Sequence, residues 1–227
     1  MLCLTAVATG CGALPTAPPP STAPPAVITS AGTGTRSPQP AEATLLRVPA
    51  RPCQALNARI RAKIGMPKTQ KGRRSVVDVS CQWTNDPGRR PPFRFRDLKV
   101  SYSVGFEGVT DLDDAKRSFD QKRRADYRRP SGFGGAPQRK GMIKQVGSAK
   151  AGRDFDEGYY VYYVWQIAEA RRGEGFVVIR KHNVLITIRA SGSDVPGRQV
   201  RQSRPLPEAA ARDIIDAVAG PLTAAVR

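Results

Sequence analysis

Hydrophobic and polar residues alternate most regularly between Leu98 and Glu107, where Leu98, Val100, Tyr102, Val104 and Phe106 are separated by Lys99, Ser101, Ser103 and Gly105. A period of two sends one set to each face of a strand, so this segment predicts a β-strand with one buried face. The same period runs through Val77, Val79, Cys81 and Trp83, with Asp78, Ser80 and Gln82 between them. Tyr159 to Ala168, Gly175 to Arg180 and Val184 to Ala190 are rich in Val, Ile, Tyr and Phe and separated by short turns, which predicts an antiparallel meander. A further strand is expected around Met142 to Val146.

Helical spacing fills the intervals. Asn57 is placed to cap a short helix over Ala58 to Ile64, with Ile60 and Ile64 on one face and Gly65 at its exit. Thr110 with Asp113 three residues on marks a second helix start, with Leu112, Ala115 and Phe119 as its apolar face. This helix is expected to run to about Tyr127 and stop before Pro130. Ser131 to Gly141 then reads as a mobile glycine-rich loop. Pro207 opens a last helix carrying Ala210, Ile214, Ile215 and Val218, expected to end before Gly220-Pro221. The order predicts an α+β fold: one domain over 51–227, with an antiparallel sheet of about five or six strands packed with an N-terminal, a middle and a C-terminal helix.

Ahead of that domain the periodicity vanishes. From Leu14 to Pro49 the chain is almost entirely uncharged Pro, Thr, Ser, Ala and Gly, which cannot bury enough apolar surface to offset its ordering entropy. It reads as a disordered tether, able to reach on the order of 100 Å when extended. Before it, the apolar run Leu2 to Ala8 ends in Ala8-Thr9-Gly10-Cys11, small side chains of the kind a signal peptidase requires, and is too short to span a bilayer. Ala-Thr-Gly-Cys resembles the bacterial lipobox. The resemblance implies that residues 1–10 are a signal segment and that Cys11, diacylated on sulfur, begins the mature chain and a lipid-anchored tether over 11–50. Ala8 stands where Leu is usual and no Lys or Arg precedes the apolar run, so the true start is expected upstream of Met1 or Met1 is internal.

Charge adds a second theme. The net charge is +18, and the segment 1–50 carries only Arg36, Arg47 and Glu42, so +17 falls on the domain. Such a balance favours association with polyanions, although a GC-rich coding sequence yields the same Arg, Ala, Gly and Pro bias. Arg117, Lys122, Arg123, Arg124, Arg128 and Arg129 crowd the middle helix and its exit, and the following loop adds Arg139, Lys140 and Lys144. Positions three and four apart share a helix face, so 117, 124 and 128 are expected to form a basic ridge, with the group as a candidate anion-binding surface. Tyr159, Tyr160, Tyr162, Tyr163 and Trp165 read as packed strand residues and not as a base-stacking platform. Nucleic acid would also conflict with export. The expected partners are the membrane, through the lipid on Cys11, an anionic envelope polymer or lipid headgroup, and a protein partner that the sequence does not specify.

Of four cysteines, Cys3 would leave with the signal and Cys11 would carry lipid, leaving Cys53 and Cys81. In an oxidising compartment a bond between them would close a loop of about 28 residues and stabilise the fold by roughly 3–4 kcal/mol; in the cytosol the pair would be buried thiols. Neither has a CxxC partner and the single histidine, His182, is remote, so no metal and no cofactor is expected. His182 reads as a turn residue after Arg180-Lys181. Asp111, Asp113 and Asp114 suit the first turn of a helix, where carboxylates meet the positive end of the dipole. Asp154, Asp156 and Glu157 read as a solvated turn, or alternatively as the carboxylates of a hydrolase. The sequence holds no Gly-x-Ser-x-Gly elbow, Walker loop or His-rich metal motif. The expectation is a non-enzymatic extracytoplasmic binding module, with a paired-carboxylate hydrolase as the alternative and a cytosolic nucleic-acid binder as a third reading if the amino terminus is not a signal.

Pro52-Cys53-Gln54-Ala55-Leu56, a short helix ending at Gly65, and Cys81-Gln82-Trp83 together resemble the opening of the actinobacterial secreted lipoproteins grouped as the domain of unknown function 3558 family. The resemblance covers mainly residues 51–83, with looser agreement in element order afterwards. It implies a Cys53–Cys81 disulfide and a place outside the membrane, anchored to its outer face. Arg51 stands where an acidic residue is common, and Asn57-Ala58 replaces Thr-Pro. The family implies no reaction.

Overall fold

The computed structural model describes residues 45–70, 72–75, 78–104, 111–128, 137–140, 155–167 and 169–227. Cys11, most of the expected tether, Thr110, Arg129 and the strand expected at Met142 to Val146 lie outside the described residues.

A 3-10 turn at Pro52–Gln54 leads into α1 (Ala58–Lys63), where the Asn57 side chain accepts the Ile60 N–H at 2.9 Å; Gly65, at φ +69°, turns the chain out. The strands that follow are β1 (Lys68–Gln70), β2 (Asp78–Thr84) and β3 (Phe93–Val104). Helix α2 spans Leu112–Arg128. Its cap is Asp111, whose carboxylate accepts the Asp114 N–H at 2.6 Å, one residue later than the Thr110 start the sequence suggested. After it come β4 (Pro137–Lys140), β5 (Glu157–Ile167), β6 (Ala170–Lys181), β7 (Val184–Val195), the two-residue β8 (Arg204–Pro205) and α3 (Glu208–Ala224). The fold is α+β, as expected. Short β4 falls in the segment read as a loop, and β1 in a stretch where no element was predicted: they contribute edge hydrogen bonds and little apolar pattern, so alternation does not reveal them.

All pairings are antiparallel, in the order β1-β2-β3-β7-β6-β5-β4, and β8 takes the β6 side of β7 beyond Gly192. Helix α3 packs over the first face of this sheet, where Val79, Cys81, Trp83, Leu98, Val100, Tyr102, Val177, Ile179, Ile186 and Ile188 meet Ala211, Ile215, Val218 and Leu222 in one core. Helix α2 covers only part of the second face, through Phe119 on Tyr159, Val161, Tyr163, Phe176 and Val178. Both faces of β5 and β6 are therefore buried, and this explains why Tyr159 to Trp165 reads as a nearly continuous apolar run.

β6 begins at Ala170, five residues before the sequence expectation, because Gly173 and Gly175 hold the inward positions. At Gly175 a Cβ would lie 2.6 Å from the Tyr160 hydroxyl and 2.9 Å from Ala211 Cβ; at Gly173 it would overlap the Leu206 carbonyl oxygen. Glycine here is a packing requirement of α3 and its lead-in rather than a turn signal.

α3 also departs from expectation by continuing through Gly220-Pro221. Leu222 and Val226 are buried, which rewards the extra turn, and its carbonyls find outside donors: Tyr102 Oη to Leu222 O at 3.1 Å, and Lys181 Nζ to Thr223 O and Val226 O, both at 3.2 Å. Described residues ahead of Arg51 also belong to this core. Leu46 and Val48 pack on the core; Asn183 brackets Leu46, its Oδ1 accepting the Leu46 N–H at 2.7 Å and its Nδ2 donating to the Leu46 carbonyl at 3.0 Å. Arg47 and Arg227 exchange backbone hydrogen bonds beside them.

Candidate functional site

The six-cation group proposed around α2 divides when its side chains are placed. Arg117 and Arg124 share the exposed face and line one open depression of about 510 Å³ with Asp120, Gln121 and Ala125. Lys122 and Arg123 do not join that ridge. They turn toward the sheet, Lys122 lying over the Phe176 ring at 5.8 Å and Arg123 over Phe119 at 5.7 Å. Most of the charge is compensated within the helix: Arg117 pairs with Asp114, Arg123 with Asp120 at 2.8 Å and Lys122 with Asp126 at 3.0 Å. Carboxylates three or four residues away on the same face are the reason; pairs open to solvent, such as Arg117–Asp114, are worth only a few tenths of a kcal/mol, whereas the Asp126 end of the Lys122 pair is buried. The side chains of Arg128 and Lys140, which close α2 and β4, lie outside the described residues.

Under α2 sits a group that sequence reasoning did not single out. Asp126 is 1% exposed. Its Oδ2 accepts from Tyr159 Oη at 2.5 Å and pairs with Lys122, while its backbone carbonyl accepts from Tyr163 Oη at 3.2 Å. Burial, reinforced by the bond to Asp126, pushes the Tyr159 hydroxyl far above its ordinary range, and burial does the same for Tyr163. Both phenols remain neutral donors, so the cluster fastens α2 to β5. Lys122 four residues before Asp126 was the available signal; burial of that pair depends on a long-range contact.

Beyond α2 the same sheet face is polar and cross-linked. Arg172 pairs with Asp97 and donates to Ser191 Oγ at 2.8 Å, Gln82 Nε2 donates to Asp97 Oδ1 at 3.2 Å, and Arg189 donates to Glu174 at 3.0 Å while lying 4.9 Å above Phe176. These pairs follow from the register: Asp97 on β3 and Glu174 on β6 both face Ser191 of β7. The lattice fixes the face and leaves its charges largely matched.

The carboxylates weighed for hydrolysis are also engaged. Arg180 binds Asp156 at 2.9 Å and Glu157 at 2.5 Å, and Asp156 Oδ2 accepts the N–H of His182 at 2.7 Å. His182, at φ +54°, occupies the β6–β7 turn. Asp154 lies outside the described residues. Among the described residues no group of three His, Cys, Asp or Glu side chains is arranged to hold a metal ion, and no helix is long and apolar enough to cross a membrane.

Cys53 and Cys81 are bonded, with Cα atoms 5.1 Å apart. Cys81 is buried on β2 and Cys53 lies in the 3-10 turn, so the bond pins the start of the folded unit to the sheet. No family model matches this chain, and no curated protein matches it.

Proposed function

We propose that this chain is an exported lipoprotein, held at the outer face of the cell membrane by a lipid on Cys11, and that its basic domain is a non-enzymatic binding module for an anionic envelope component. The observation that carries the reading is the Cys53–Cys81 disulfide, because such bonds persist in oxidising compartments and are rare in the cytosol. The Ala8-Thr9-Gly10-Cys11 sequence, the uncharged Pro-rich stretch behind it and the resemblance to the actinobacterial lipoproteins support the same location. The net charge of +18 supports an anionic ligand. Acid–base chemistry on Asp156 and Glu157 has less support, since both carboxylates are committed to Arg180.

Expression of the gene with its natural upstream sequence in an actinobacterial host tests the anchor. The expected result is globomycin-sensitive processing and a lipid mass on Cys11. An unlipidated protein in the cytosolic fraction would overturn it. Salt-dependent retention on anionic polymers tests the binding role, which fails if retention does not exceed that of a neutral control protein.

A further inference from the structure

Between Glu42 and Asp78 the sequence carries nine Lys and Arg residues and no Asp or Glu. Three of them, Arg51, Arg73 and Arg74, line one cleft of about 240 Å³ together with Cys53, Gly72 and the Val79–Ser80 stretch of β2. All three are exposed, and among the described residues no carboxylate lines the cleft and none of the three guanidinium groups has a hydrogen-bond or ion-pair partner. On α2, by contrast, Arg117, Lys122 and Arg123 meet acids of their own helix.

Backbone contacts fix the walls of the cleft. Ser80 donates its N–H to the Arg73 carbonyl at 2.9 Å, Ser75 donates to the Asp78 carbonyl at 2.7 Å, and Arg74 forms an antiparallel bridge with Val79. A Cβ at Gly72 would overlap the Ser80 carbonyl oxygen, so glycine is what lets this segment lie so close to β2. Arg51 comes from the other lining segment, the 3-10 turn that the disulfide ties to the same strand. Guanidinium groups present planar pairs of N–H donors that match the oxygens of a phosphate, and uncompensated positive charge in a concavity favours an anion there.

We propose that this cleft binds a phosphate-type oxyanion, with Arg51, Arg73 and Arg74 as its donors and the Cys53–Cys81 bond holding Arg51 in position. The inference rests on the anion-binding reading of the domain and assigns that reading a site away from α2.

The test titrates the purified, disulfide-bonded protein with inorganic phosphate, and in a separate arm mixes it with vesicles of phosphatidylglycerol or phosphatidylcholine at equal salt. Replacing both arginines (Arg73→Ala with Arg74→Ala) is expected to weaken binding at least about tenfold, the loss of charged hydrogen bonds of ordinary strength. Arg51→Ala and reduction of the disulfide should weaken it in the same direction, whereas Arg198→Ala, an exposed arginine between β7 and α3 that does not line the cleft, should leave it unchanged. An unaltered circular dichroism spectrum establishes that the variants fold. Saturable binding of inorganic phosphate identifies a free phosphate as sufficient; capture by phosphatidylglycerol vesicles alone identifies the headgroup on a surface. If the wild type binds but the double variant binds equally well, this cleft is not the site while the anion-binding reading stands. If the wild type binds neither probe, the cleft and the anion-binding reading are both overturned.

Discussion

The Tyr159 hydroxyl donates to Asp126 Oδ2 at 2.5 Å across the interface between α2 and β5, and Lys122 donates to the same carboxylate from one helical turn earlier. Removing the carboxylate takes an acceptor away from a buried phenol and from a partly buried ammonium. Asp126→Ala is therefore expected to cost about 2–4 kcal/mol in urea unfolding, and Asp126→Asn, which keeps an acceptor for Tyr159, distinctly less. Equal losses for the two would show that the charge on Asp126 carries the interface and the hydrogen bond does not.

The disulfide closes a loop over a sequence separation of 28 and fixes a turn that has no buried residues of its own. Loss of the bond in Cys53→Ser with Cys81→Ser is expected to lower stability by roughly 3–4 kcal/mol in the chain-entropy account, read as a lower thermal midpoint that added reductant no longer shifts. A midpoint indifferent to reductant in the wild type would contradict this.

Two glycines should respond in opposite directions to the same change. Gly173→Ala forces a methyl group into the Leu206 carbonyl and is expected to destabilise by about 1–3 kcal/mol. Gly220 lies inside α3 with nothing within 4 Å of a built Cβ, so Gly220→Ala should stabilise by up to about 1 kcal/mol. Paired thermal melts decide; loss of stability at both positions would reject the open space assigned to Gly220.

Asp78 supplies a pH signature. Burial holds its carboxyl above the ordinary carboxylate value, and Lys99 offsets this only in part. The folded state then keeps that proton to higher pH than the unfolded state does, so this group's contribution to stability falls as pH rises through the window above the ordinary value. Asp78→Asn should raise the unfolding midpoint near neutral pH and lose that advantage in acid. An advantage equal at both would remove desolvation as the cause.

The central strands and the helix order were legible because their side chains alternate or recur against a core: Val79, Cys81, Trp83 and Leu98, Val100, Tyr102 all lie where period two puts them. What failed to show were features decided by distant partners. Gly173 fell in a predicted turn and Gly175 at the start of the predicted strand because glycine is read locally, whereas here the two answer to Leu206 and Ala211. Pro221 looked like a stop because its helix is rescued from outside by Tyr102 and Lys181. The basic ridge on α2 was drawn from cations alone; the acids at 114, 120 and 126, visible in the same seventeen residues, already foretold its partial neutralisation. The acid-free stretch before Asp78 was equally visible, but only the fold brings Arg51 beside Arg73 and Arg74.

The grip of Asn183 on Leu46, with Arg47 and Arg227 joined alongside, also has a mechanical meaning. A pull on the chain ahead of Leu46 is delivered to the hairpin between two fully paired interior strands and to the last residue at the same time, bypassing the weak edges β1 and β4. Strain applied from that side would have to rupture a shared knot of hydrogen bonds, two from the Asn183 amide and two between backbones, before it could begin to peel the sheet.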